Sequence, residues 1–224
     1  MCGRFVSRDQ AAVEREYNVR VRDPFERVYN AAPTMALPVI RGNGEAREAL
    51  AMRWGLVPSW WSQPQPPTST INARSEEAAA KPMWRGALRH ARCLVPALGW
   101  YEWQQSEAGK VPHFFHPPGV PGEHGLCFAG LWAERRDEAG APQLSFAILT
   151  RAASPALAVV HHRMPVVLDP AAFDDWLGPW SGDAGAHLAT HVQASVDDFQ
   201  HYPVSRYVNT PRNQGPRCIE PLVA

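Results

Sequence analysis

The sequence predicts an α+β domain built on a twisted, largely antiparallel β-sheet with helices beside it. Three observations lead there. From Arg92 onward, short segments rich in aromatic and branched residues follow one another at 92–96, 99–104, 112–116, 126–133 and 144–150, separated by glycine or proline. Helical patterns are few and short. No internal repeat and no domain boundary interrupts the 224 residues, a length that supports a real core. One domain over residues 1–224 is therefore expected.

Taken in order, residues 9–17 (DQAAVEREY) read as a helix with Ser7 or Asp9 as its cap. The turn-rich run Tyr29-Asn30-Ala31-Ala32-Pro33-Thr34 leads into a strand at 36–40, and a second strand spans 47–54. A Trp-, Pro- and Ser-rich loop between Ser59 and Thr70 is too aromatic for an inert connector, because exposed aromatic residues on loops tend to bind something. A helix follows near 83–90, then the β-rich stretch. The polar segment within 104–125 predicts a mobile hairpin tip. A strand is expected at 166–168, and Pro170 starts a helix through Leu177 with Trp176 on its core face. Another helix near 184–193 precedes a strand-like terminal segment beginning at His201.

Composition excludes several classes. Hydrophobic content is 45% and charged content 20%, ordinary for a soluble globular chain. No apolar run has the length of a membrane span and no signal-peptide core follows the N-terminus, so a cytoplasmic, nucleoid-associated location is expected. Cys2, Cys93, Cys127 and Cys218 are widely spaced, without a CxxC pair, and predict free thiols. HxxH at His113 and His116, with His124 nearby, lacks Cys or carboxylate partners; no metal and no cofactor is expected. The formal net charge is zero, so no global cationic field draws nucleic acid. The 20 arginines against two lysines still allow a local phosphate-binding patch.

Four dense segments carry the candidate chemistry: MCGRF at 1–5, INARSE at 71–76, GWYEW at 99–103 and HHRMP at 161–165. Removal of Met1 leaves a 1,2-aminothiol on Cys2, whose amine and thiol have reference pKa values of roughly 8 and 8.5. Such a pair captures an aldehyde first as a Schiff base and then as a five-membered thiazolidine. Gly3 lets a substrate approach the main chain, and Arg4 suits a phosphate. Glu102 sits between aromatic residues, where burial raises a carboxyl pKa and equips it for proton transfer. His161 can exchange protons at neutral pH, and Asn72 can hold a hydroxyl or carbonyl. Each has a plainer reading: a small hydrophobe in a frayed terminus, a solvent-facing strand position, a surface or core histidine, an Asx turn or cap. Trp60 and Trp61 can stack on bases, although one of them can equally be core.

Together these segments resemble the SOS response-associated peptidase (SRAP) family. MCGRF, YNAAP at 29–33, the WG-x-x-P-x-WW run at 54–61, INAR at 71–74, GWYEW, FAGLW at 128–132, HHRMPVVL at 161–168, HYPVS and NQG carry the likeness over nearly the whole chain. The resemblance implies the SRAP fold, a barrel-like core with flanking helices, acting as a monomer. It implies binding of single-stranded DNA and capture of abasic sites as a thiazolidine on the N-terminal cysteine. The catalytic positions fall on Cys2, Asn72, Glu102 and His161. The DNA contacts fall on Arg4, Asn30, Pro33, Trp60, Trp61, Arg74, Thr150 and Arg163. His162 stands where the family often has Asp, so either imidazole can be the proton donor; its place in HHRMP favours His161.

Two other activities remain open at this point. Cys2 with His161 as base also fits a thiol peptidase or an autoprocessing enzyme. The Trp loop and arginines alone fit a non-covalent reader of damaged or single-stranded DNA.

Overall fold

Five strands close on themselves at the centre of the computed structural model, which describes residues 2–43, 46–63, 69–107 and 109–222. In chain order the elements are β1 (Phe5–Ser7), α1 (Gln10–Tyr17), β2 (Arg20–Val21), β3 (Ala36–Asn43), β4 (Ala46–Trp54), β5 (Asn72–Arg74), α2 (Ser75–Ala78) and α3 (Pro82–His90). They continue with β6 (Arg92–Ser106), β7 (Gly109–His116), β8 (Leu126–Arg136), β9 (Pro142–Ala152), α4 (Pro155–Ala158), β10 (Arg163–Pro165), α5 (Phe173–Leu177), α6 (Ala184–Gln193) and β11 (Gln200–Pro203). The ring runs β3–β4–β9–β8–β6 and back to β3, where Ile40 lies opposite Leu94. Only β4–β9, β2–β4 and β5–β9 pair in parallel; the rest of the sheet is antiparallel. Met1, residues 64–68 of the aromatic loop and Ala108 at the hairpin tip lie outside the described residues.

The period of two along each strand divides the core into two layers. Leu37, Val39, Leu50, Met52, Phe128, Phe146 and Ile148 fill the ring. Their neighbours Ile40, Ala49, Ala129, Leu131, Ala147 and Leu149 point outward, against Trp84 and Leu88 of α3 and Trp176 of α5. Each large side chain buried this way contributes roughly 1.5–3 kcal/mol. Because both faces are covered, these strands read as near-continuous apolar runs. Inside the ring Phe5 meets Trp54 edge-on at 5.1 Å and Phe128 at 5.8 Å, which fixes the N-terminal segment against the core.

Local chemistry explains the boundaries. Asp9 caps α1 by accepting from the Ala12 N–H at 3.0 Å; Ser7 instead lies buried in β1, where its hydroxyl accepts from Val28. The expected strands at 92–96 and 99–104 are one strand, β6. Gly99 is there for closeness rather than for a turn: a Cβ would fall 2.1 Å from the Phe115 carbonyl and 2.5 Å from the Phe114 ring. The tip expected within 104–125 is likewise split by β7 into two connections. The strand expected at 166–168 falls at 163–165 as β10. Beyond it, Val166 donates to Leu149 of β9 and Leu168 to Cys127 of β8, so the chain crosses between strands and leaves Val167 only an isolated bridge to Phe128. The helix expected from Pro170 begins as a 3₁₀ turn, Pro170–Ala172, capped by Asp169, and continues as α5 with Trp176 fully buried. The terminal segment forms β11 over four residues and then gives way to two 3₁₀ turns, Arg206–Asn209 and Pro216–Cys218.

No helix among the described residues is long and apolar enough to cross a membrane. Cys2, Cys93, Cys127 and Cys218 are free thiols, all buried.

Candidate functional site

The N-terminal segment is held by main-chain bonds to β6. Phe5 lies opposite Trp100, and the Tyr101 N–H donates to the Arg4 carbonyl at 2.9 Å. That register lays Cys2, Gly3 and Arg4 along the stretch of β6 that carries Glu102. Cys2 is fully buried and packs with the residues that fill the ring. It is neither frayed nor solvent-facing.

Asn72 begins β5, which runs parallel to β9 with Asn72 opposite Ile148. From there its Nδ2 donates to the Cys2 carbonyl at 2.8 Å. Its Oδ1 is buried and finds no hydrogen-bond partner among the described residues. An orphaned acceptor beside a reactive residue is costly unless a ligand supplies the donor.

Glu102 is 3% exposed, which removes the reading of a solvent-facing strand position. Burial raises its pKa to about 7, against the opposing positive charge of the chain's amino terminus. Glu102 and burial also act on Cys2: burial first, then the carboxylate charge, push the thiol well above its ordinary value. His161 follows α4, with its N–H donating to the Leu157 carbonyl at 3.3 Å. Its Nδ1 lies 3.0 Å from the Arg163 N and 3.2 Å from the Arg163 carbonyl oxygen, accepting from the first in one tautomer and donating to the second in the other. Its pKa is lowered, by burial first and then by the charge of the amino terminus. His162 stacks on it at 4.5 Å and is the more exposed of the two.

A cavity of about 390 Å³ is lined by Glu102, Trp103, Lys110 and His161. Cys2, Asn72, Glu102 and His161 are thus linked through one region: a hydrogen bond joins the first two, an electrostatic interaction joins Cys2 to Glu102, and a shared cavity joins Glu102 to His161. The arrangement supplies a thiol, a carboxyl able to give or take a proton near neutrality, an imidazole and an unsatisfied amide oxygen. Lys110 and Trp103 were not anticipated. Their signal lay in the β6–β7 register, which brings the hairpin back over Glu102 and is invisible to periodicity alone.

The residues expected to contact DNA fall into three groups. Arg4 donates to Asn30 Oδ1 at 2.8 Å and to the Val208 carbonyl at 2.9 Å. Asn30 is fully buried, and its Nδ2 reaches the carbonyls of Val208, Thr210 and Asn213 at 3.0–3.1 Å. It positions Arg4 and the terminal segment. Pro33 is half-buried in the turn that follows Ala31, whose N–H and carbonyl pair with Phe5.

The second group gathers where β5 and β9 end and β10 begins. Arg74 lies opposite Thr150 and is exposed, and Thr150 is fully buried. Arg163 donates to the Thr150 carbonyl at 2.7 Å and grips Glu76 with both nitrogens at 2.6 and 2.9 Å. Asn72 and His161 each stand two residues from an arginine of this group. The third group is the loop: Trp60 is 59% exposed and meets the half-buried Trp61 edge-on at 5.9 Å, beside a groove of about 260 Å³ bounded by α3 and β8. Among the described residues no cluster of His, Cys, Asp and Glu is arranged to hold a metal.

A family model described as SOS response associated peptidase (SRAP) matches residues 1–211. The abasic site processing protein YedK of Escherichia coli (strain K12) is 31% identical over 237 residues, covering 99% of this chain and 100% of that protein. The abasic site processing protein YoqW of Bacillus subtilis (strain 168) is 30% identical over 233 residues, 98% and 99% of the two chains. A crystal structure of a protein from Bacteroides thetaiotaomicron superposes with a TM-score of 0.82 over 99% of this chain and 100% of that one, at 21% identity.

Proposed function

The chain belongs to the SOS response associated peptidase family, and from that membership we propose that it processes abasic sites in DNA by trapping the ring-opened sugar aldehyde on Cys2. The names of its relatives support the lesion. What supports the chemistry is the linkage of Cys2 to Asn72 by a hydrogen bond and to Glu102 electrostatically, with Glu102 and His161 lining one cavity.

The steps follow from the groups present. Loss of Met1 places the chain's free amine on Cys2. An abasic sugar rests mostly as a closed hemiacetal; His161 in its protonated form donates a proton to the ring oxygen while ionised Glu102 takes the anomeric hydroxyl proton, which opens the ring. The Cys2 amine adds to the aldehyde carbon and water leaves, giving a Schiff base. The thiol then adds across the C=N bond, sulfur to carbon and proton to nitrogen, closing the thiazolidine. Glu102, with a pKa near 7, takes and returns the protons of these steps. The Asn72 Oδ1 accepts from a hydroxyl of the opened sugar and so gains the partner it lacks.

Arg4, Arg74 and Arg163 neutralise flanking phosphates, and Trp60 with Trp61 stacks on neighbouring bases of a single strand. Asn30, Pro33 and Thr150 contribute by positioning the backbone and the arginines. The protein acts as a monomer in the cytoplasm at the nucleoid, without a metal or cofactor.

A single-stranded oligonucleotide with one abasic site tests the proposal on a denaturing gel. The site is expected to yield a heat-stable band, and the same site reduced beforehand to the alcohol is expected to yield none. A band that survives reduction of the aldehyde would refute the chemistry.

A further inference from the structure

Two arginines outside those already assigned to DNA share a cavity beside the aromatic loop. Arg53, near the end of β4, lies opposite Ser145 of β9, and Gln143 of β9 lies opposite Arg135 of β8. Partners across strands, and residues two apart along one strand, share a face of the sheet, so both arginines project from the outer face of the ring. With Val57, Gln143 and Ser145 they line a cavity of about 410 Å³. Among the described residues no aspartate or glutamate lines it.

Both guanidinium groups are braced without being neutralised. Arg53 donates through one Nη to the Gly55 carbonyl at 2.8 Å, and its remaining donors have no partner among the described residues. Arg135 donates to the Gln63 carbonyl and to Gln143 Oε1, both at 3.0 Å, while its Nε finds no acceptor. Two carboxylates at the edge are engaged elsewhere. Asp137 accepts from the Ala139 and Ala141 N–H groups at 3.0 and 2.9 Å, and Asp23 accepts from Ala51 at 3.4 Å. Arginine keeps its charge in such a setting, so two of them facing one cavity favour an anion between them.

The surroundings indicate which anion. On one side Ala36 pairs with Arg53, and the turn before it carries Pro33, with the Thr34 N–H donating to the Trp54 carbonyl at 2.8 Å. On the other, Val57 donates to Ser145 Oγ at 2.9 Å and leads into Trp60 and Trp61. The groove beside Trp60 reaches β8 at residues 132–134, and the cavity takes up the same strand at Arg135. Both flanking segments are ones that the proposed DNA binding uses.

We propose that Arg53 and Arg135 form a further phosphate-binding site, which holds the DNA backbone beyond the base stacked on Trp60. The inference rests on the DNA binding proposed above and extends its path. Arg53 supplies free N–H donors, Arg135 supplies charge, and the Ser145 hydroxyl, which accepts from Val57, still has its proton to donate.

Anisotropy titrations of an undamaged single-stranded oligonucleotide over a salt series test the site with wild type, Arg53→Gln and Arg135→Gln. Each lost phosphate contact should weaken binding and take about 0.7 off the slope of log affinity against log salt. A merely misplaced Trp loop would lower affinity at an unchanged slope. The second measurement moves one uncharged methylphosphonate linkage stepwise along the strand. At one or two positions it should weaken binding to wild type and not to the double variant, or to either single variant should the double not fold. A free phosphate ion offers the same chemistry as the backbone, so inorganic phosphate is also exchanged for chloride at constant ionic strength. DNA affinity should hold. Wild-type slopes in the folded variants, linkages that weaken every protein alike, or phosphate that displaces DNA from wild type alone would each overturn the inference and leave the abasic-site reading standing. If wild type binds no strand at all, that reading fails and the inference falls with it.

Discussion

The Nδ2 of Asn72 sits 2.8 Å from the carbonyl oxygen of Cys2, tying the first residue of β5 to the N-terminal segment seventy positions earlier. The bond fixes the main chain at the point where the amine and thiol diverge, while the unmatched Oδ1 of the same side chain stays available. Asn72→Asp replaces the donor with a carboxylate facing a carbonyl oxygen. Stability should fall by about 1–3 kcal/mol, read from denaturant unfolding. Crosslinking should slow by more than single-stranded DNA binding weakens.

Glu102 gives a pH signature with a definite sign. Its folded pKa of about 7 lies above the ordinary carboxyl value of 4.5. The folded state therefore keeps a proton that the unfolded chain has lost, and stability falls as pH rises between those values, by on the order of 3 kcal/mol in full. Glu102→Gln should be more stable than wild type at pH 8, with the advantage shrinking at pH 5. Equal advantage at both values would mean that the carboxyl is ionised in the folded protein throughout.

Glu102→Ala should slow crosslinking far more than it weakens DNA affinity. Equal losses in a gel assay and an anisotropy titration would assign the residue a structural role.

Arg163 is held by Glu76, whose pKa is lowered by hydrogen bonds from that guanidinium, so the pair is ionised at neutral pH. The carboxylate competes with phosphate for the same two nitrogens. Glu76→Gln should tighten single-stranded DNA binding at low salt and steepen the plot of log affinity against log salt by about 0.7. Its stability should change by less than about 1 kcal/mol, because the partner carboxylate is exposed.

Trp60 is exposed and should contribute to binding rather than folding. Trp60→Ala is expected to weaken single-stranded DNA affinity by about 1–3 kcal/mol while leaving the melting temperature nearly unchanged.

Strand and helix periodicity made much of the ring and its covering helices legible, because Leu37, Val39, Phe146 and Ile148 alternate with residues buried on the other face. Gly99 misled, since a glycine needed for close approach to Phe115 has the same sequence appearance as one that ends a strand. The short pieces β1, β5 and α2 were invisible to pattern: three- and four-residue elements have no period, and tertiary pairing alone forms them. At the site, the residue types of Cys2, Asn72, Glu102 and His161 pointed to chemistry beside plainer readings, and burial removed the frayed-terminus reading of Cys2 and the solvent-facing reading of Glu102. Pairing across strands is what put His113 opposite Glu102 and Lys110 at the cavity, and that register depends on a hairpin whose length the composition does not fix.

The aminothiol of Cys2 is the centre of the account, and intact-mass analysis tests it most directly. Wild type and Cys2→Ala would be incubated side by side with single-stranded DNA carrying one abasic site, then heated and weighed. Wild type lacking Met1 should give a heat-stable species equal to protein plus DNA less one water, and Cys2→Ala should give none while still binding the strand. An equal adduct from Cys2→Ala, or no adduct from wild-type protein whose mass shows Met1 gone, would contradict the thiazolidine.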